Sequence, residues 1–172
     1  MSNEVRRNFK EKPIVLVVDG DMVRRYQTSV YLLRLEYHVF AVGTAEDALR
    51  IMQLTIPHIV ITDIGLPGIN GYELIKRMKL DPPLRQVPVL VYVPSAAPAN
   101  GKLCEQAGCT GYLTQTGDHN ELYKAVQKAT DDFMKAVPQG IDVEQIADQP
   151  KVVEHAVGEF VKSFIEPLAI VL

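Results

Sequence analysis

The chain has 172 residues, of which 47% are hydrophobic and 23% charged, and its net charge is −3. This length suits one domain with its own core and a short extension. No apolar stretch approaches the roughly 18 residues that a membrane span needs, and residues 1–12 form a polar lead without the apolar core of a signal peptide. From Pro138 onward two basic residues face six acidic ones, which argues against nucleic acid as a partner because phosphate contacts need clustered Lys or Arg.

The two cysteines, Cys104 and Cys109, are too few to form a disulfide framework. Small, unpaired and buried cysteines are common in protein cores and need no function. We therefore expect both to be free thiols in a reduced, cytoplasmic setting.

Apolar runs alternate with segments of helical periodicity along the chain. The runs predict strands at 14–18, 38–42, 57–63, 87–93 and 111–114, and the periodic segments predict helices at 22–36, 45–54, 71–80, 99–107 and from Asp118 onward. Thr44, Asn70 and Asp118 are expected to cap helices. The alternation predicts an α/β fold, a doubly wound parallel sheet of five strands covered by helices on both faces.

The first and last helices show the clearest apolar stripes. In the first, the predicted inward residues are Val23, Tyr26, Val30 and Leu33. In the last, they are Leu122, Val126, Ala129 and Phe133. Both stripes are expected to pack on the sheet.

Two of the predicted strands end in a carboxylate. Asp19 follows the first apolar run and Asp63 ends the third, where turn residues begin at once. Open α/β sheets place their ligand chemistry at the carboxyl ends of strands, so the two acids are expected to converge on one edge. Such a pair suits a hard cation held beside a nucleophilic oxygen. A flavin-binding protein of similar fold would need a phosphate-cradling loop after the first strand, where Asp19-Gly20-Asp21 offers acids instead.

Taken together, these segments resemble the receiver domain of two-component response regulators. The resemblance covers residues 13–137 and is carried by Val17-Val18-Asp19, Pro57 to Asp63, Leu66 to Leu74, Val87-Pro88-Val89 and Gly108 to Leu113. It implies a flavodoxin-like fold, a signalling role rather than an enzymatic one, and a histidine kinase or other signalling protein as partner. It also implies that Asp63 is the phosphoacceptor, and that Asp19, Asp63 and the carbonyl of Gly65 occupy the positions that bind Mg²⁺.

The chain departs from the family pattern at three supporting positions. Gly20 stands where the family has a second acid, Val93 where it has a hydroxyl, and Gln115 where it has a lysine, while Tyr112 matches the aromatic of the fifth strand. These losses weaken the hold on metal and phosphoryl group. They favour an atypical receiver, or pseudo-receiver, with impaired phosphorylation at Asp63 that acts through protein–protein contacts. The alternative is a functional phosphoacceptor, phosphorylated on Asp63 by a histidine kinase in a Mg²⁺-dependent reaction.

Residues 138–172 do not fit the strand–helix alternation and are interpreted as a C-terminal helical extension. A helix is expected at 150–166, followed by bare hydrophobic residues up to Leu172. Such an apolar segment needs a covering surface. It either docks on its own domain or, as symmetric dimers are the commonest oligomers, forms a homodimer through residues 150–172.

Overall fold

The computed structural model describes residues 12–94, 98–115 and 118–136, with the backbone alone at position 98. Strands and helices alternate throughout in the predicted order. They are β1 (Ile14–Val18), α1 (Met22–Arg34), β2 (His38–Val42), α2 (Ala45–Leu54), β3 (Ile59–Asp63), α3 (Gly71–Leu80), β4 (Val89–Val93), α4 (Pro98–Ala107), β5 (Gly111–Thr114) and α5 (His119–Ala136). The predicted lead up to residue 11 and the extension at 138–172, with its helix and homodimer, lie outside the described residues.

The five strands form one parallel sheet in the order β2-β1-β3-β4-β5. This is the doubly wound parallel sheet that the alternation predicts, in the flavodoxin-like arrangement that the resemblance implies. The chain runs outward from β1 in one direction through β2 and in the other through β3, so the topological switch point lies between β1 and β3. Val18 pairs with Thr62 in that register. Asp19 directly follows β1 and Asp63 ends β3, so the two residues lie side by side at the carboxyl edge of the sheet.

The core lies on both faces of the sheet, because β1, β3 and β4 are covered by helices on either side. Along β1, Leu16 and Val18 pack on one face and Val15 and Val17 on the other. All five residues of β3 are buried. The central strands are therefore rigid supports for the residues that follow them.

Short polar side chains begin four of the helices. Asp118 Oδ1 accepts a hydrogen bond from the Asn120 amide at 3.3 Å, which confirms the predicted cap of α5. Thr44 Oγ1 accepts a hydrogen bond from the Asp47 amide (3.2 Å), and Asn70 Oδ1 accepts one from the Glu73 amide (2.9 Å), which confirms the other two predicted caps. An N-cap that the sequence analysis did not identify begins α1, where Asp21 Oδ1 accepts from the amides of Val23 (2.9 Å) and Arg24 (3.0 Å).

The predicted apolar stripe of α1 is wrong, whereas that of α5 is largely confirmed. Val23, Tyr26 and Leu33 are exposed, and the buried residues of α1 are instead Thr28 and Leu32. In α5, the buried residues include three of the four predicted ones: Leu122, Val126 and Ala129. Residues 24, 28 and 32, each four positions apart, form the inward face of α1. This face puts polar residues against the acidic edge of the sheet. Hydrophobic periodicity selects the opposite face there.

The prediction of two free thiols is also wrong. Cys104 and Cys109 form a disulfide, with their Cα atoms 5.2 Å apart. Gly108 ends α4 with φ +86°, and the amides of Gly108 and Cys109 both bond the Cys104 carbonyl at 3.0 Å. This chain reversal brings the cysteines together, and their number alone does not reveal it. In the part of the chain that the structure describes, no helix is long and apolar enough to cross a membrane.

Candidate functional site

The two strand-end carboxylates meet at the switch point. Asp19 is fully buried and Asp63 is 6% exposed. A single nitrogen, Nη2 of Arg24, lies 2.8 Å from Asp19 Oδ1 and 2.5 Å from Asp63 Oδ2. Neighbouring parallel strands thus deliver both acids to one small volume, as their positions in the sequence lead us to expect.

Arg24 is the residue that sequence reasoning missed at this site. Its Nε also donates to Asp19 Oδ2 at 2.5 Å, so the guanidinium holds Asp19 in a two-point contact. The guanidinium carbon lies 5.9 Å from the ring centroid of Tyr92. The hydrogen bond to Asp19 and the charges of both acids raise the pKa of Arg24, against an opposing effect of burial. From sequence alone, Arg24 with its neighbour Arg25 is typical of a solvated basic helix face. The one available signal is its spacing of four residues from Thr28.

The second oxygen of Asp63 is also engaged. Asp63 Oδ1 accepts from the amide of Gly65 at 3.3 Å and from Nε2 of Gln115 at 3.3 Å. Gln115 follows β5, so α1, β3 and the end of β5 all contribute to the environment of one carboxylate. Because Gln115 is neutral, the only side-chain cation bonded to Asp63 in the described part of the chain is Arg24.

The carboxylate of Asp21 caps α1. Its carboxylate accepts backbone hydrogen bonds at the helix N-terminus, chiefly from Arg24, and these lower the pKa of Asp21. Its own amide donates to Asp19 Oδ1 at 2.8 Å. Asp21 therefore does not replace the acid that Gly20 lacks, although it fixes the start of the helix that carries Arg24.

The remaining predicted positions lie on or beside three different strands. Val93 ends β4 and is fully buried in the core. Its aliphatic side chain offers no hydrogen-bond donor. Tyr112 on β5 is 40% exposed, and a Cβ on Gly101 of α4 would lie 3.7 Å from its ring. A Cβ on Gly20 would lie 4.0 Å from the carbonyl oxygen of Gly65 and 3.3 Å from Pro67 Cδ. An acid at position 20 would therefore begin beside the Gly65 carbonyl.

The arrangement does not fit Mg²⁺ while Arg24 holds both carboxylates. Mg²⁺ requires oxygen ligands at about 2.0–2.1 Å in near-octahedral geometry. Asp19 and Asp63 already direct three of their four oxygens at the guanidinium. Among the described residues, no cluster of three His, Cys, Asp or Glu side chains has a geometry suited to a metal ion. We therefore derive no chemical step that passes through a metal.

The sequence model of the response regulator receiver domain matches residues 15–127. The chain belongs to this family. The receiver is 31% identical over 103 residues to the two-component response regulator ORR3 of Oryza sativa subsp. indica, an alignment that covers 59% of this chain and 79% of that protein. It is 22% identical over 112 residues to Protein PilH of Pseudomonas aeruginosa, covering 65% of this chain and 93% of that one.

Solved receiver structures have the same fold. A putative response regulator from Chloroflexus aurantiacus superposes with a TM-score of 0.67 at 26% identity, over 70% of this chain and 99% of that one. The receiver domain of sensor histidine kinase PA1611 from Pseudomonas aeruginosa, with magnesium coordinated in its active-site cleft, superposes with a TM-score of 0.65 at 23% identity, over 70% and 98%. Receivers are two-component signalling modules rather than typical enzymes, they generally bind Mg²⁺, and they interact with histidine kinases and other signalling proteins.

Proposed function

We propose that this receiver is atypical, that phosphorylation at Asp63 is impaired, and that it acts through protein–protein contacts. One observation carries the proposal. Both oxygens of the Asp63 carboxylate are engaged by the protein, Oδ2 by Arg24 and Oδ1 by Gly65 and Gln115. Attack on phosphorus uses an oxygen lone pair, and three of the roughly four lone-pair sites of this carboxylate already accept hydrogen bonds.

The surroundings of Asp63 reduce its reactivity toward a phosphoryl donor. The bond from Arg24 is charge-assisted and must break or turn aside before Oδ2 attacks. The approach of the phosphoryl donor also adds negative charge beside a buried carboxylate pair. Gln115 contributes an amide dipole to that encounter in place of the full positive charge of a lysine. Val93 adds no donor for a phosphoryl oxygen.

Contacts with another signalling protein are supported by apolar side chains next to the site. Met22, Val23 and Tyr26, in the first turns of α1, are 63%, 61% and 70% exposed. They flank Arg24 in sequence, so a partner that binds there contacts the same helix whose Arg24 side chain bonds the acid pair. Exposed apolar groups of this kind mark interaction surfaces. A histidine kinase or another signalling protein is the partner class.

Phosphorylation is tested with acetyl phosphate and Mg²⁺, followed by intact-mass spectrometry of wild type and Asp63→Asn. In the wild type we expect at most a slow and substoichiometric adduct of about 80 Da, the mass of one phosphoryl group. We expect no adduct in Asp63→Asn. A prompt and stoichiometric adduct that disappears in Asp63→Asn would instead establish the alternative, a functional Mg²⁺-dependent phosphoacceptor.

We also propose a homodimer through residues 150–172, on the strength of their apolar sequence alone. Light scattering of the full chain and of a chain that ends at Val137 tests this. A dimer is expected for the first and a monomer for the second. Monomers in both samples reject the homodimer and favour docking of the segment on its own domain.

A further inference from the structure

The guanidinium of Arg24 lies in the space between the acids that a shared cation would need. Nη2 is within hydrogen-bond distance of both carboxylates, and Nε completes a fork on Asp19. Asp21 fixes the helix start three residues earlier, so the origin of the Arg24 side chain is set by the cap. The Arg24 side chain is 22% exposed. This is a supported and largely desolvated contact rather than a surface ion pair.

The acid pair requires a counter-charge whether or not the protein is phosphorylated. Asp19 is fully buried and Asp63 nearly so, and two carboxylates this close repel strongly where water is excluded. Arg24 is the side-chain cation that the structure pairs with both of them. With Arg24 in place, one negative charge remains on the cluster. A divalent cation entering beside the guanidinium faces repulsion from Arg24 and lacks an acid at position 20.

We propose that Arg24 is a built-in cation that replaces the divalent metal of this site. Arg24 holds Asp19 and Asp63 together in the metal-free protein, and Mg²⁺ binds only when the guanidinium is displaced. This inference deepens the proposed function and rests on it in one respect, because a receiver that is closed to metal is also a poor phosphoacceptor. Titration of the protein with metal measures this binding independently of any phosphorylation.

The test compares the wild type with Arg24→Gln by calorimetric titration with MgCl₂ and by electron paramagnetic resonance with MnCl₂. Arg34→Gln is the matched control, because Arg34 is an exposed residue in the last turn of the same helix and its replacement removes the same charge. Arg25 is unsuitable, since its Nη1 bonds the carbonyl oxygen of Asp19. Each protein is also unfolded thermally with and without MgCl₂.

We expect no saturable binding below millimolar metal in the wild type and in Arg34→Gln. Arg24→Gln should bind one ion at least about tenfold more tightly, with a midpoint of unfolding that rises on addition of Mg²⁺ because only the folded site binds it. Adding Asp63→Asn to Arg24→Gln should abolish both effects. Equal affinities in wild type and Arg24→Gln overturn the proposal.

The wild-type titration decides the matter even if Arg24→Gln does not fold. Saturable submillimolar binding to the wild type overturns the proposal, and its absence supports it. Folding of Arg24→Gln only in the presence of Mg²⁺ also supports it. If the wild type binds no metal but still forms a prompt adduct at Asp63, the proposed function fails while the assignment of Arg24 survives.

Discussion

Asp19 and Asp63 lie on neighbouring parallel strands and share one hydrogen-bond donor, Nη2 of Arg24. The sheet register brings the two acids together, because Val18 pairs with Thr62 immediately before them. The first turn of α1 then supplies a positive charge that bridges the two acids and offsets one of their two negative charges. The stability of this domain and the chemistry of its site therefore depend on the same guanidinium.

Replacing Arg24 by Met should lower the free energy of unfolding by about 3–5 kcal/mol, the usual effect of leaving a buried charge unpaired. Urea unfolding followed by circular dichroism measures this loss. Arg34→Met, on the exposed end of the same helix, should lose at most about 1 kcal/mol through the helix dipole. Adding Asp63→Asn to Arg24→Met should recover part of the loss, because one of the two repelling charges disappears. Similar losses in both single variants would show that the acid pair does not need Arg24.

Introducing an acid at Gly20 should rebuild a metal site once Arg24 is absent. A Cβ at position 20 begins 4.0 Å from the Gly65 carbonyl oxygen, and Gly20 has no positive φ that would oppose a side chain. In an Arg24→Gln background, Gly20→Asp should raise Mg²⁺ affinity about tenfold, the effect of roughly 1.4 kcal/mol. Gly20→Ala adds the same Cβ without the carboxylate. An equal gain from alanine would refute a ligand role for position 20.

Gly71 permits the close approach of α3 to the end of β3. A Cβ there would overlap the carbonyl oxygen of Asp63, and the Gly71 amide donates to the Ile64 carbonyl at 3.2 Å. Gly71→Ala should therefore destabilise the domain by about 1–3 kcal/mol, as forced overpacking does. The control is Gly101→Ala in α4, where, among the described residues, the new methyl group meets only the Tyr112 ring at 3.7 Å. Helix propensity makes that change neutral or favourable, so equal effects of the two substitutions in denaturant unfolding would disprove the close approach.

Stability should fall at alkaline pH partly through Tyr92. Burial raises the pKa of Tyr92 in the folded protein, with a smaller opposing effect of its hydrogen bond to Thr28. The folded state therefore binds the phenolic proton more tightly than the unfolded state, whose pKa is about 10. This stabilisation is complete below pH 10 and is lost as pH rises through the higher folded pKa.

The measurement for Tyr92 is the free energy of unfolding between pH 9 and pH 11. Tyr92→Phe should show a shallower decline than the wild type because the titrating group is gone. Thr28→Val removes the same hydrogen bond and keeps the tyrosine, so its decline should be at least as steep as that of the wild type. Parallel curves for all three proteins would exclude a contribution from Tyr92.

The disulfide between Cys104 and Cys109 predicts no free thiol in the protein purified without reductant. Thiol titration under denaturing conditions should detect none before reduction and two afterwards. Because the bridge closes a short loop, its removal by Cys104→Ala with Cys109→Ala should reduce stability by only about 2 kcal/mol. Detection of two thiols without reductant would show that the cysteines are close but unbridged in solution.

Most of the fold could be predicted from local pattern. Continuous apolar runs bounded by Pro and Gly predict strands that are buried on both faces, and β1, β3 and β4 confirm this. Thr44 and Asn70 act locally, so their capping roles are readable within four residues. The prediction failed at α1, because Arg24 turns inward to pair with acids that come from two distant strands. Hydrophobic periodicity carries no information about such a polar inward face.

The sequence by itself determined the parallel α/β sheet and the placement of Asp19 and Asp63 at its edge, because both depend on residue type and chain order. The tertiary structure alone decided that Arg24 bridges the acid pair. That contact joins residues 39 positions apart, and it exists only because strand register and a helix cap converge on one point in space.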